Sequence, residues 1–220
     1  MSVSLLAAVS VHGEQLSHRF GRRQTGIAGL EFAFDGPGAV AVTGVNGSGK
    51  STLLRILAGL LPPSAGRTSL RVDGRELPPR QRRTVLGLAT PELAFYEEFT
   101  AAENLVFAGE TRGLVSPSRA AAEALEQVGL SPRANDRVAA FSSGMKQRLR
   151  IAFALLHQPP LLLLDEPGSH LDDAGRDVVR AVVARQASRG LVLLATNDAQ
   201  EIQLAERRLE LHGHGLGDPS

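Results

Sequence analysis

The sequence predicts an α/β fold: a mostly parallel sheet around a phosphate-binding turn, with an antiparallel β flap and an inserted helical lobe. Three observations carry this. Gly44-Val45-Asn46-Gly47-Ser48-Gly49-Lys50-Ser51 fits the pattern of a glycine, four free positions and then Gly-Lys-Ser/Thr, set between an apolar run and a helical one. Leu161 to Leu164 is an unbroken apolar run closed by Asp165-Glu166, as in a strand buried on both faces. Between these two, residues 100–157 carry three helical patterns in succession.

Taken in order, residues 1–35 read as two strands, Ala7 to Val11 and Ile27 to Phe34, joined through Ser17-His18-Arg19-Phe20-Gly21. Phe20 is either a platform on which a base stacks or a strand-end aromatic packed on the core; the residues alone leave both open. Ala39 to Val42 is a strand leading into the glycine-rich turn. Ser51 to Leu61 is a helix with Leu53, Leu54, Leu57, Leu60 and Leu61 at helical spacing, stopped by Gly59, Pro62 and Pro63. Arg67 to Val72 is a strand ending in an Asp73-Gly74 turn, hence the antiparallel flap. Arg80-Gln81-Arg82-Arg83 is basic, but without interleaved aromatics it reads as a solvated turn rather than a nucleic-acid patch.

Thr100 and Glu103 form a capping box for a helix to about Gly109. A second helix opens at Ser116-Pro117 and is stopped by Gly129; a third starts near Ser142 and carries Leu149, Ile151, Ala152 and Leu155. Alternation then resumes with the Leu161 strand, a helix over 172–187 with Val178, Val179, Val182 and Val183 inward, and strands at Leu191 to Ala195 and Leu209 to Leu211. Gly213 to Ser220 reads as a frayed tail. The expected organisation is one domain over 1–220, with a core of about 1–95 and 158–220 and a helical lobe of about 96–157.

Composition narrows the partners. A net charge of +1 gives no general pull toward nucleic acid or anionic lipid. No cysteine is present, which excludes disulfides and thiolate metal sites and suits an intracellular protein. No apolar stretch approaches the roughly 20 residues that span a bilayer, and Val3 to Val11 lacks the basic lead of a signal peptide. Any membrane role is expected to come through a partner.

The glycine turn has a clear chemical rationale. A backbone wrapping a polyphosphate needs positive-φ positions and no side chains between its N–H groups and the anion. Asn46, Gly47, Ser48, Gly49, Lys50, Ser51 and Thr52 would then form the nucleotide site at a helix N-terminus, with Lys50 reaching the β and γ phosphates and the Ser51 hydroxyl on Mg²⁺. A flexible glycine loop is the bland alternative, and the flanking elements argue against it. Lysine occurs only at positions 50 and 146 in an arginine-rich chain, so Lys50 stands where a compact ammonium suits a phosphate. Asp165 and Glu166 lie at the carboxyl end of a buried strand, where α/β sheets bind ligands, and Mg²⁺ would compensate their charge.

By itself the phosphate loop implies only the core of a P-loop NTPase. Phe141-Ser142-Ser143-Gly144-Met145-Lys146-Gln147-Arg148, beginning 23 residues before Asp165 when counted from Ser142, resembles the signature segment of the ATP-binding cassette (ABC) ATPases, with Ser-Ser-Gly-Met for the commoner Ser-Gly-Gly-Gln. The resemblance covers nearly the whole chain. It implies ATP and Mg²⁺ as ligands and a nucleotide sandwiched between two such domains, so that Ser142, Ser143 and Gly144 face a γ-phosphate held by the partner. Taken alone, Ser-Ser-Gly is also a sound helix cap. The resemblance further places Phe20 as the adenine-stacking aromatic, Asp165 on Mg²⁺, Glu166 as general base, and Asp172 in the loop that touches the partner's site.

Two positions depart from that family's pattern. Thr90 to Tyr96 holds no glutamine to contact Mg²⁺ and the water, and Glu92 is the nearest substitute. Thr196-Asn197-Asp198 stands where Thr-His-Asp is usual, so Asn197 offers a neutral amide in place of an imidazole. Slow ATP hydrolysis with intact binding and dimerisation is expected. The implied function is the ATP-binding and ATP-hydrolysing subunit of an ABC transporter, exporter-like in its signature. It would lie in the cytoplasm on the inner face of a membrane, pairing with a second nucleotide-binding domain under separate integral membrane subunits, and no nucleic acid is expected. The alternatives are a soluble cassette ATPase or a poorly hydrolysing ATP-gated module.

Overall fold

The computed structural model describes residues 8–20 and 24–212, with Phe20, Gln24 and Thr25 described in backbone only. The expected tail at 213–220 and the side chain of Phe20, expected to stack on adenine, therefore lie outside the described residues. The chain begins with β1 (Val9–Phe20), β2 (Gln24–Asp35), β3 (Gly38–Thr43), α1 (Lys50–Leu57), β4 (Ala65–Val72), β5 (Arg75–Glu76), α2 (Pro79–Arg82) and β6 (Leu86–Ala89). Three longer helices follow, α3 (Ala101–Thr111), α4 (Pro117–Gln127) and α5 (Ser143–Leu155). It closes with β7 (Leu161–Asp165), α6 (Asp173–Ala187), β8 (Leu191–Ala195), α7 (Ala199–Ile202) and β9 (Arg207–Glu210).

The fold is α/β with one parallel and one antiparallel sheet. The parallel sheet has the order β6-β7-β8-β3-β9 and the antiparallel one β2-β1-β4-β5. Inner strands of the parallel sheet carry no polar face because both sides are covered. Val40, Val42, Leu161, Leu163, Leu191 and Leu193 pack toward α1 and the antiparallel sheet. Ala39, Leu162, Leu164, Val192 and Leu194 join the core with α3, α4, α5 and α6. In register, Asp165 pairs with Ala195, and Ala195 pairs with Val42. The three strands thus end level, and the loops after them leave from one edge.

Several expectations shift in detail. The segment Ser17 to Phe20 continues β1 instead of joining two shorter strands. Helix α1 stops at Leu57, because Gly59 turns back at φ 73°, and Leu60 is left 69% exposed. Asp73 and Gly74 both take positive φ, as a two-residue hairpin turn between β4 and β5 requires. The basic stretch is not a solvated turn throughout: Arg82 is buried, and its guanidinium donates to the carbonyls of Ile56 and Leu57 and to both oxygens of Thr68. It thereby occupies the carbonyl end of α1. Sequence reading also missed β6 and α7.

In the helical stretch, the capping box at Thr100 and Glu103 is formed in both directions, and Ser142 caps α5 by accepting from Met145 N–H at 3.2 Å. Val178 is half-buried while Val179, Val182 and Val183 are buried, so α6 turns the expected face inward. No described helix is long and apolar enough to cross a membrane.

Candidate functional site

The loop between β3 and α1 encloses a hollow of about 260 Å³ lined by Gly26, Asn46, Gly47, Gly49, Lys50, Ser51, Thr52 and Glu166. Its backbone requires glycine. Gly44, Gly47 and Gly49 all have positive φ, and a Cβ on Gly49 would stand 2.4 Å from the carbonyl oxygen of Gly26. Nothing lies within 4 Å of a Cβ on Gly47, so that side of the loop is open to a ligand. Lys50 is buried, and its ammonium donates to the carbonyls of Gly44 at 2.7 Å and Val45 at 3.4 Å. Ser48 is buried with a hydroxyl that has no partner among the described residues.

Asp165 reaches the same region from the end of β7, two strands from β3. It is buried, and its Oδ1 has no hydrogen-bond partner among the described residues. Burial pushes this carboxyl up; a hydrogen bond from Ser51 works against it, while Glu166 and Glu92 raise it further and Arg55 lowers it. A buried carboxylate short of partners beside a hydroxyl is a donor set suited to a hard divalent cation. Among the described residues no group of three or more acidic, histidine or cysteine side chains could hold a metal alone.

Glu166 follows at φ 47° with an exposed side chain, its N–H donating to Ala195 O at 2.9 Å. A second cavity of about 220 Å³ shares Asn46 and Glu166 with the first and extends to Ser169, His170, Arg176 and Asn197. There the Asn197 amide donates to Asn46 Oδ1 at 3.1 Å. Glu92 is engaged elsewhere: it pairs with Arg55 and lines a groove with Leu88, Thr90 and Phe153. Burial raises its carboxyl, but hydrogen bonds from its own backbone, Arg55 and Thr90 hold it below its ordinary value.

Ser142 and Ser143 are exposed at the start of α5, and Gly144 packs so close that a Cβ would sit 3.0 Å from His170 O. Asp172 caps α6 by accepting from Gly175 N–H at 2.8 Å. The Ser142 segment and Asp172 stand apart from the lining of the phosphate hollow of their own chain. Lys146 forms a 2.6 Å ion pair with Glu97.

Three supporting residues escaped sequence reasoning. Buried Gln147 donates to the carbonyls of Glu166 and Pro167, at 3.1 and 3.2 Å, and accepts from Arg150. Buried Glu201 accepts from Gly168 N–H at 2.6 Å, and burial pushes its carboxyl up against the opposing effects of Thr196 and that N–H. Arg176 pairs with Asp198 at 2.6 Å. Gln147 lies inside the Ser142 segment, so position was its one signal; Glu201 and Arg176 offered none.

Comparison with known proteins gives a consistent result. A family model described as ABC transporter matches residues 27–169. The chain is 33% identical over 195 residues to the linearmycin resistance ATP-binding protein LnrL of Bacillus subtilis, covering 87% of this chain and 62% of that protein. It is 37% identical over 216 residues to the aliphatic sulfonates import ATP-binding protein SsuB of Pseudomonas putida, covering 97% and 77%. The chain thus spans about three fifths of the length of LnrL. Among solved structures, a dimeric ATP-binding cassette in a post-hydrolysis state bound to ADP and Pi matches with a TM-score of 0.78 at 23% identity, covering 93% and 96%, a likeness of fold.

Proposed function

Because this chain belongs to the ABC transporter family, we propose that it is the ATP-binding and ATP-hydrolysing subunit of a transporter, working as a pair of cassettes beneath separate membrane subunits. The observation that carries the reading is the meeting of the phosphate loop and Glu166 in one hollow at the level ends of three parallel strands, with buried Asp165 hydrogen-bonded to Ser51 of its lining. The proposed body is a single nucleotide-binding domain, with core and helical lobe dividing near residues 95 and 158. It lies on the cytoplasmic face of the membrane through its partners.

Within that site, backbone N–H groups of Asn46 to Ser51 and the end of α1 hold the phosphates. Lys50 is already oriented by two carbonyls and exchanges them for phosphate oxygens. Ser51 and Asp165 would hold Mg²⁺, which neutralises charge developing on the phosphates. Glu92 is tied to Arg55 and supports the metal side only through its charge. Glu166 orients the attacking water and accepts its proton. Ser142, Ser143, Gly144 and Asp172 stand outside their own hollow, which suits a role toward the nucleotide of a second cassette.

Asn197 favours slow turnover, since its amide is neutral and engaged by Asn46. Relatives named for import and for resistance are both present, so the exporter-like quality stays with the Ser-Ser-Gly-Met wording. The test is purification from solubilised membranes with ATP and the Glu166→Gln variant, which is expected to hold the closed pair. A co-purifying integral membrane protein is the expected outcome. Recovery of ribosomes or nucleic acid in its place would replace this reading with that of a soluble cassette ATPase.

A further inference from the structure

We propose that His170 is a catalytic residue of this site, a side chain that lends a proton to the terminal phosphate from the cavity adjoining the phosphate hollow. The proposal rests on the ATP-hydrolysing reading above.

The cavity of about 220 Å³ places His170 with Glu166, Asn46 and Asn197, and it shares the first two of these partners with the phosphate hollow. Most polar groups lining it are already committed. Arg176 is paired with Asp198, Glu201 holds Gly168 N–H, and Asn197 is bonded to Asn46. Among the described residues, the side chains of Glu166 and His170 have no hydrogen-bond or ion-pair partner. A carboxylate and an imidazole thus remain available in one cavity, the combination from which proton transfer near neutral pH is built.

The backbone supports a purpose for this placement. Glu166 at φ 47° and His170 at φ 63° are both non-glycine residues in the left-handed region, within one five-residue turn. Such strain persists where the surroundings enforce it, and it gathers at functional sites. Here Gly168 N–H is held by Glu201, Ser169 N–H by Glu166 O at 3.1 Å, and the His170 carbonyl lies against Gly144 of α5. The turn is fixed at both ends and in the middle, and it is His170 that it presents to the cavity.

The balanced step is as follows. The water oxygen bonds to the γ-phosphorus as the bond from that phosphorus to the β,γ-bridging oxygen breaks. Glu166 takes one proton from the water, and His170 gives one to a phosphate oxygen. The proton on Glu166 then restores His170, so that ATP and water leave as ADP and dihydrogen phosphate. The charged groups that line the cavity with it are Glu166, Arg176, Asp198 and Glu201.

The test is steady-state ATP hydrolysis by the full chain with its membrane partners, for wild type, His170→Asn and the double variant His170→Asn/Asn197→His. His170→Asn is expected to lower kcat about a hundredfold and to leave the KM for ATP within about twofold. Asn197→His, which returns an imidazole to the same cavity, is expected to restore several-fold. As a readout independent of turnover, ATP with Mg²⁺ added to Glu166→Gln is expected to shift the His170 C2-proton resonance. Wild-type kcat in His170→Asn, or an unmoved resonance, overturns the role of His170 alone. A wild type that binds ATP without hydrolysing it overturns the hydrolytic reading as well.

Discussion

The side-chain amide of Asn197 donates to Oδ1 of Asn46 at 3.1 Å, joining the loop after β8 to the phosphate loop across 151 residues of sequence. Both groups are neutral, so the contact has no charge to offer a phosphate. Exchanging it for a charge-assisted bond is worth about 1 kcal/mol, or roughly fivefold in rate. Asn197→His is expected to raise kcat by up to that factor, measured by phosphate release at saturating ATP. Unchanged turnover would count against slow hydrolysis as a property of position 197.

Asp165 links stability and ligand binding with opposite signs. Its folded-state pKa is raised by burial. The group therefore contributes stability below its unfolded pKa and loses it as pH rises through the folded value. Asp165→Asn is expected to raise the Tm of the ligand-free chain at pH 7 by about 2–4 °C, the response to roughly 1 kcal/mol in a chain of this size. The same variant should lose the part of the ATP-induced Tm shift that EDTA removes from wild type. Thermal melts with ATP and with or without Mg²⁺ separate the two effects.

Arg82 answers a third question, how α1 ends beneath the flap. It donates to carbonyls of α1 and to Thr68 while 2% exposed, and burial lowers its pKa despite the opposing charge of Glu76. Arg82→Ala leaves those carbonyls unsatisfied in the interior and is expected to cost about 2–3 kcal/mol. Arg82→Lys should recover little, since an ammonium cannot span the same fork of acceptors. Urea unfolding at pH 7 measures both.

His157 sets a limit on the acid side. Burial lowers it to about 4, with Arg112 adding to the effect and the bond to Leu86 O opposing it. The folded pKa lies below the unfolded one, so the contribution is present above about 6.5 and is lost as pH falls toward 4. His157→Gln keeps a donor for Leu86 O and removes the titration. The stability difference between wild type and variant is expected to change between pH 6.5 and 4 and to stay level above pH 7.

Elements with local signals were legible in the sequence. The glycine turn, the Thr100 capping box, the Ser142 cap and the leucine strand before Asp165 each depend on neighbours within a few residues. What escaped was decided at long range. Strand β6 is four residues long, and its Gly87 suits a close approach by Ala154 O, which a Cβ would meet at 2.0 Å. No alternation announces such a strand. Arg82 looked solvated because its acceptors on α1 and β4 lie 14 to 26 residues away. Position 92 was legible as the nearest carboxylate to a missing glutamine, but its capture by Arg55 depends on a residue 37 positions earlier. His170 could be placed beside Asn197 only once β7 and β8 were known to end side by side.

Gln147 ties α5 to the turn that carries Glu166 by two hydrogen bonds, and Arg150 extends the tie to Leu93 O. A rotation of the helical lobe that left Glu166 behind would have to break both Gln147 bonds in a dry setting. The helices and that turn are therefore geared, not hinged: the attitude of α5 sets where the backbone of Glu166 and Pro167 sits, and a torque applied to the helices from outside is delivered to the turn.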